Sequence, residues 1–429
     1  MITLGEPRLI VLITCHDLGR HLGCYGVTSV ATPHLDALAA DGFRFERAFS
    51  VAPQCSPSRA ALATGRFPHA NGVMGLAHGT YGWELHSEEQ HVAELLSAHG
   101  FESHLFGLQH VTSDPQRLGF DRIHGAGSGR EVAEEVARWC SQGGARPRSY
   151  VEINLFEPHR PYDHGGVRPD ESRGVQVPSY MPDNDGSRRE MAALQGAIME
   201  ADRAIGRIVG ALDDGGLLDD ALIVFTADHG IAMPRAKCTL YDPGIEIALI
   251  MRWPGGGIGP AISAELVSNV DVAPTLLEIT HIHAPEVLQG HSFLALLENR
   301  DYEPRASVYA EKTWHSYYDP MRAIRTQRYK LIRNFESAFA VEVPAAVQEG
   351  AVFRESPQRY SRDRTAPLEL YDLELDPLEA VNLASIERHS GLMRELDALL
   401  WQWMADTADP LLEGPVASPW FRRWGRRPE

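Results

Sequence analysis

The chain is predicted to be an α/β protein: a sheet sandwiched by helices, followed by a smaller C-terminal antiparallel sheet with a helix. Three observations predict it. Unbroken apolar runs such as Leu9–Ile13 and Ala221–Thr226 read as strands buried on both faces. Helical segments alternate with such strands over about 280 residues. After Asn299 short strand-like segments follow one another with no helix between them. With 429 residues the chain exceeds the roughly 250–300 at which a single core stops growing, so two units are expected, residues 1–300 and 301–429.

Leu9–Ile13 opens the pattern as a core strand. The residues before it, Met1–Pro7, lack the basic region and small-residue cleavage site of a signal peptide, and a cytoplasmic location is expected. Thr32–Asp41 has a threonine cap and Pro33 at the first helical position. Glu88–His99 is an amphipathic helix stopped by Gly100, and His104–Phe106 a short strand. The Gly125–Gly129 cluster lacks the Lys-Ser/Thr of a phosphate-binding loop and reads as a plain loop. Ser149–Leu155 is a strand running into Phe156-Glu157-Pro158-His159. A long helix, Arg188–Asp213, ends at Gly215-Gly216. Ala221–Thr226 is the clearest central strand and delivers Asp228-His229-Gly230 at its C-terminal end, where sites in such sheets lie. Val308–Glu311, Met321–Arg325, Lys330–Asn334 and Leu368–Leu373 form the second sheet, with a helix over Ile386–Met404 packed on it. Ala338–Thr365 is expected to be an irregular insertion.

Composition narrows the function. Forty basic against 58 acidic side chains give a net charge of −18, a field that repels nucleic acid and long polyanions. A small anion could still enter a locally basic pocket. No run reaches the ~18 apolar residues of a membrane span, so neither a nucleic acid nor a membrane is an expected partner. Five cysteines, an odd number without a C-x-x-C pair, argue against a disulfide framework or a zinc ribbon.

One stretch carries chemistry. Cys55-Ser56-Pro57-Ser58-Arg59, a small-residue helical run with Leu62, and then Thr64-Gly65-Arg66 resemble the maturation signature of the sulfatase family. A free cysteine is by default a small buried hydrophobe; the punctuation around Cys55 argues for more. The resemblance implies that Cys55 is oxidised by a formylglycine-generating enzyme to 3-oxoalanine (formylglycine). Its hydrate offers one hydroxyl to attack sulfur and a second to expel sulfate.

The likeness runs over roughly residues 8–405. It includes Leu12–Arg20 with Leu22-Gly23-Cys24-Tyr25-Gly26, and Asp228-His229-Gly230, and it implies an alkaline-phosphatase-like mixed sheet. It also implies one divalent metal ion held by Asp17, Asp228, His229 and the residue at 55. Where the family has two aspartates this chain has His16-Asp17. Calcium prefers oxygen donors; if His16 ligates, the site turns toward Mn or Zn, and if it does not, calcium keeps the remaining oxygens. The resemblance further implies that Arg59 holds the nucleophile's alkoxide, and that His110, His159 and Lys237 contact the sulfate or the leaving group, with His159 or His110 as proton donor. The family's usual G-K-x-H reads Gly107-Leu108-Gln109-His110 here, removing a cationic contact unless another residue supplies it.

Asp228–Gly244 and Tyr318–Arg322 look most like the heparan N-sulfatase (sulfamidase) branch and its bacterial relatives. That implies a small sulfated sugar as substrate, N-sulfoglucosamine foremost, with His315, Tyr317 and Arg322 as candidate substrate contacts. Three function classes follow: a formylglycine-dependent sulfuric ester or sulfamate hydrolase; a phosphodiester or phosphonate monoester hydrolase on the same scaffold; and a non-catalytic binding protein whose Cys55 is never matured.

Overall fold

The computed structural model describes residues 5–78, 82–144, 148–336, 342–360 and 366–424. A nine-stranded mixed sheet is built from β1 (Leu9–Cys15), β2 (Phe43–Phe49), β3 (Glu102–Gly107), β4 (Arg122–Ile123), β5 (Ser149–Asn154), β6 (Ala221–Ala227), β7 (Glu246–Ile247), β8 (Leu249–Arg252) and β9 (Ala261–Ser268). The order is β4-β3-β5-β1-β6-β8-β2-β7, with β9 joined to β2. Every residue of β1, β5 and β6 is buried, the condition that an apolar run without alternation implies.

Register positions the site. β4, β3, β5, β1 and β6 are parallel neighbours. Gly107 lies opposite Asn154, Asn154 opposite Thr14, and Cys15 opposite Ala227. The segments leaving β3, β5, β1 and β6 therefore emerge side by side at one sheet edge, carrying His110, His159, His16-Asp17 and Asp228-His229.

Helices flank this sheet. Helix Pro33–Asp41 begins as expected, but the Thr32 hydroxyl does not cap it; it accepts from Gly23 N at 2.9 Å and donates to Asp36 at 3.0 Å. The expected 88–99 helix is only Val92–Ser97, because the His91 side chain accepts from Ala93 N and starts it late. The long helix runs Asp185–Asp214 from an Asn184 cap on Ser187 N. Gly129–Ser141 is a helix that the sequence reading passed over. Its start is a capping box in which Ser128 and Glu131 satisfy each other's backbone N–H groups.

The second sheet is antiparallel: β10 (Ser307–Trp314), β11 (Tyr318–Thr326), β12 (Tyr329–Asn334) and β13 (Leu368–Asp372). Helix Ser390–Asp406, preceded by the turn Glu387–His389, lies on it. Leu396, Leu400, Trp403 and Met404 pack with Ile324, Leu331 and Leu370, and also with Val51, Ala61 and Phe67 from the first body, so the two share a core. The expected irregular insertion is ordered differently. Between residues 342 and 360 it holds three short helices, Ala345–Gln348, Ala351–Glu355 and Pro357–Tyr360; residues 338–341 and 361–365 lie outside the described residues. Glu190 of the long helix accepts from Val352 N at 2.7 Å and anchors this stretch.

Candidate active site

Cys55 is the first residue of helix Cys55–Thr64, all ten residues of which are buried. Arg59, one turn on, shares its face. The Arg59 guanidinium donates from Nε to Asp228 Oδ2 at 3.0 Å and from Nη1 to Asn154 at 2.9 Å. Its buried Nη2 has no hydrogen-bond partner among the described residues, a donor left open for an anion. Ser58 fixes the same helix to the Asp228 carbonyl.

At the end of β1 the chain turns through Asp17, which takes a left-handed backbone (φ 55°), a region aspartate tolerates better than most residues. Its N–H donates to Asp228 Oδ1 at 2.9 Å. Lys237 Nζ donates to both Asp17 carboxylate oxygens, at 2.8 and 2.7 Å. His16 Nδ1 lies 3.0 Å from Asp17 Oδ1 and 3.3 Å from Asp228 Oδ2, and its Nε2 is 3.1 Å from His110 Nδ1. His229 Nε2 stands 3.1 Å from Asp17 Oδ1. His159 Nε2 is 3.7 Å from Asp17 Oδ2, and its Nδ1 faces the Arg160 carbonyl.

One ligand atom each from His16, Asp17, Cys55, Asp228 and His229 falls within 4.8 Å of all the others, and all five residues are buried. The donor chemistry fits a divalent cation. Burial pulls the two imidazoles down, but Asp228 and Asp17 outweigh it and raise His16 to about 9 and His229 to about 10. Burial likewise opposes the ionisation of Asp17 and Asp228; Lys237 and His159 on the first, and His16 and His229 on both, hold them below the usual carboxylate range. Two buried carboxylates thus draw whatever positive charge is within reach.

Position 55 is built to hold a negative charge. Burial pushes the Cys55 thiol up, yet Lys237 and His16, with hydrogen bonds from His110 and His16, bring it well below the usual thiol range. The thiolate sulfur here stands where the oxygens of a hydrated formylglycine would sit. His110 and His159, by contrast, are pushed down to about 4 and about 3, burial being the leading cause in each. Burial thus disfavours the protonated imidazole at both positions, and the charge of a bound anion would act in the opposite direction.

The nine residues His16, Asp17, Cys55, Arg59, His110, His159, Asp228, His229 and Lys237 are brought together. The three candidate substrate contacts fare differently. His315 is buried, its Nδ1 2.7 Å from Glu342, and it clusters with Cys238, the neighbour of Lys237. Tyr317 is 39 % exposed, its ring 5.9 Å from Lys312 Nζ. Arg322 is a correction: it is fully buried and spends its guanidinium on Asp409 and on the carbonyls of Lys312 and Met321, so its role is structural. His78 was missed. Its exposed ring stacks on His110 with centroids 4.4 Å apart and lies in the field of Cys55, His16, His315 and Lys237. A lone histidine in a loop gives no sequence signal for this.

Residues 8–145 and 155–282 match the sulfatase family. This chain belongs to the sulfatase family. It is a sulfatase, a hydrolase with the alkaline-phosphatase-like fold, and residues 233–345 match a second family, the N-sulphoglucosamine sulphohydrolase C-terminal region. Human N-sulphoglucosamine sulphohydrolase is 28% identical, over 96% of this chain and 92% of its own length. Among solved structures, one determined in complex with its substrate D-glucosamine-2-N,6-O-disulfate superposes with a TM-score of 0.73 at 19% identity, covering 94% of this chain and 99% of its own. Agrobacterium radiobacter phosphonate monoester hydrolase superposes with a TM-score of 0.72 at 21% identity, covering 99% and 100%. Among the described residues no helix is long and apolar enough to cross a membrane.

Proposed function

We propose that this sulfatase removes sulfate from a small sulfated sugar, with N-sulfoglucosamine the leading substrate and either an O-sulfate ester or the sulfamate as the bond broken. The observation that carries the reading is the convergence of His16, Asp17, Asp228 and His229 on Cys55, beside the open Arg59 nitrogen. The match of residues 233–345 to the N-sulphoglucosamine sulphohydrolase C-terminal family supports the sugar.

Converted to formylglycine, Cys55 supplies a geminal-diol nucleophile. His16, Asp17, Asp228, His229 and position 55 would hold a divalent cation, which would supply Lewis-acid polarisation of the anion; two imidazoles beside two carboxylates would favour Mn or Zn over calcium. Arg59, fixed by Asp228 and Asn154, offers Nη2 to the anion. Lys237, aligned by Asp17, places a second positive charge beside residue 55. His159 and His110 stand where the departing oxygen or nitrogen needs a proton, their pKa rising once sulfate is bound.

Peptide mass spectrometry should find Cys55 as the aldehyde or its hydrate, and a sugar-sulfate panel should show release from N-sulfoglucosamine. Release from 6-O-sulfated glucosamine alone moves the enzyme to another sulfatase class. Release from no sugar but turnover of a phosphonate monoester would establish the phosphonate reading. Unmodified Cys55 in active protein would overturn the nucleophile, and unmodified Cys55 in inert protein would point to the binding-protein reading that Leu108 alone favours.

A further inference from the structure

The chain leading to His78 is pinned against the first turn of the helix that begins at Cys55. The Met74 carbonyl accepts from Trp314 N at 3.1 Å and the Leu76 carbonyl from Trp83 N at 3.2 Å. Ala77 N donates to Ser56 Oγ at 3.1 Å, a buried contact with the neighbour of Cys55. Gly75 leaves no room for a side chain, since a Cβ there would run into the Trp83 indole. His78 therefore starts one residue from a fixed anchor. Its ring stacks on His110, centroids 4.4 Å apart and planes inclined by 29°, and His110 in turn hydrogen-bonds Cys55.

The imidazoles around position 55 differ in what they have left to offer. The Nδ1 atom of His16 faces Asp17, that of His110 faces His16, and that of His159 the Arg160 carbonyl. His229 Nδ1 faces the Gly230 carbonyl and His315 Nδ1 faces Glu342. His78 enters no hydrogen bond or ion pair among the described residues. An imidazole carries one N–H when neutral and two when charged, so His78 keeps a donor uncommitted in either state. Partial burial is the main cause holding its pKa below the usual imidazole value; Cys55 acts against that, whereas His16, His315 and Lys237 act with it. Further negative charge beside position 55 strengthens whatever donor His78 presents.

Position 108 gives this donor a task. Leu108 N donates to the Asn154 carbonyl at 3.2 Å, which sets residue 108 at the sheet edge beside the Arg59–Asn154 pair. A leucine there carries no charge. Gln109 does not replace it, because its amide is turned onto its own loop: Nε2 donates to the Thr112 carbonyl at 2.7 Å, and Oε1 accepts from Val111 N at 2.8 Å and Thr112 N at 3.1 Å. We propose that His78 makes the contact to the bound sulfate group that a lysine at position 108 would make, from the His110 side of the site; this rests on the reading of the site as one that binds a sulfate group.

The test is a double-substitution cycle on the matured enzyme, run with the sulfated sugar it turns over fastest. His78→Ala should lower kcat/KM about tenfold or more, as loss of a hydrogen bond to a charged group does, with KM raised several-fold. Leu108→Lys should then restore about fivefold or more in the His78→Ala background and change the parent little, the non-additivity expected of two residues that serve one contact. A His78→Ala enzyme with parental kcat/KM, or a Leu108→Lys effect equal in both backgrounds, would overturn the assignment. Where Leu108→Lys does not fold, His78→Lys replaces it: a cation at position 78 should retain more activity than alanine, and equal loss in the two would overturn the contact. Calorimetry with inorganic sulfate separates this from the hydrolytic reading. Affinity should fall about fivefold or more from parent to His78→Ala; unchanged affinity, or no sulfate bound by the parent, overturns the contact whatever is hydrolysed. A parent that turns over a phosphonate monoester and no sulfated sugar removes the sulfated-sugar reading alone, and weakened sulfate binding in His78→Ala still supports the contact.

Discussion

Replacing Lys237 by methionine isolates what the buried ammonium contributes. Its Nζ donates to both oxygens of Asp17 at 2.8 and 2.7 Å, and the two residues are 6% and 0% exposed. Lys237→Met keeps most of the packing volume but leaves a buried carboxylate without its main cation. Removing one partner of such a pair costs about 3–5 kcal/mol. With an unfolding entropy of roughly 2.1 cal/mol/K per residue, a chain of this length shifts about 1 °C in Tm per kcal/mol. The variant should therefore melt about 3–5 °C below the parent in the presence of a chelator. Added divalent cation gives Asp17 a replacement charge, so the gap should narrow with metal. Activity should not recover with it: in the proposed mechanism the ammonium also meets the sulfate, and losing one such contact costs about 10²–10³-fold in rate. Differential scanning fluorimetry with and without chelator, paired with kcat and KM, is the assay. An unchanged Tm in chelator would refute the Asp17–Lys237 pair; full activity in metal-loaded variant would refute the sulfate contact.

Asp17→Ala and Asp228→Ala should each lower bound metal and abolish turnover while circular dichroism stays native, and stoichiometric metal with full activity would remove both from the ligand set. His16→Asp should shift the activating ion toward calcium, read as the ratio of rates in Ca and Mn. His78→Ala should raise KM several-fold with formylglycine content unchanged, because its ring borders His110 at the site mouth; identical kinetics would make it a bystander. Arg322→Met should cost about 3–5 kcal/mol of stability through the stranded Asp409, with kcat/KM of the folded fraction unchanged. Glu342, buried but held low by Lys312 and His315, stabilises the fold above the unfolded glutamate pKa of about 4.3, and this is lost as pH falls through its lower folded value. Glu342→Gln should flatten that acid limb in urea titrations, and an unaltered limb would count against the contact.

Much of the site was legible because its residues sit next to strong patterns. His16-Asp17 and Asp228-His229 directly follow the two most apolar runs in the chain, and β1 and β6 pair from Leu9↔Ala221 to Cys15↔Ala227. The C-x-P-S-R signature, Cys55 to Arg59, needed no structure. What escaped depended on contacts distant in sequence. Arg322 lies in a segment that resembles a substrate loop, yet Asp409, 87 residues on, claims its guanidinium. His78 matters only because the fold stacks it on His110. The downward pKa shift of His110 and His159 comes mainly from burial, which no spacing encodes. Helix Gly129–Ser141 was readable from its Ser128–Glu131 box, and the glycines before it drew attention to the loop instead.

The burial of the helix that begins at Cys55 has a consequence for timing. The sulfhydryl-bearing residue is 3% exposed, and Ser56 to Thr64 are closed in with it. An enzyme acting on Cys55 in the folded chain would meet a segment, Ser50 to Thr64, that is buried throughout. If Cys55 is matured enzymatically, this burial predicts that conversion precedes closure of the chain, in a race between two rates rather than an equilibrium. A chain that closes first would then keep its cysteine. Maturing enzyme added to folded, unconverted protein should leave it unchanged, whereas the same enzyme should convert an unstructured peptide spanning Ala52–Arg66. The yield of active protein would then follow the supply of maturing enzyme during synthesis, and the slower of two hosts would produce well-folded material with no later route to activity.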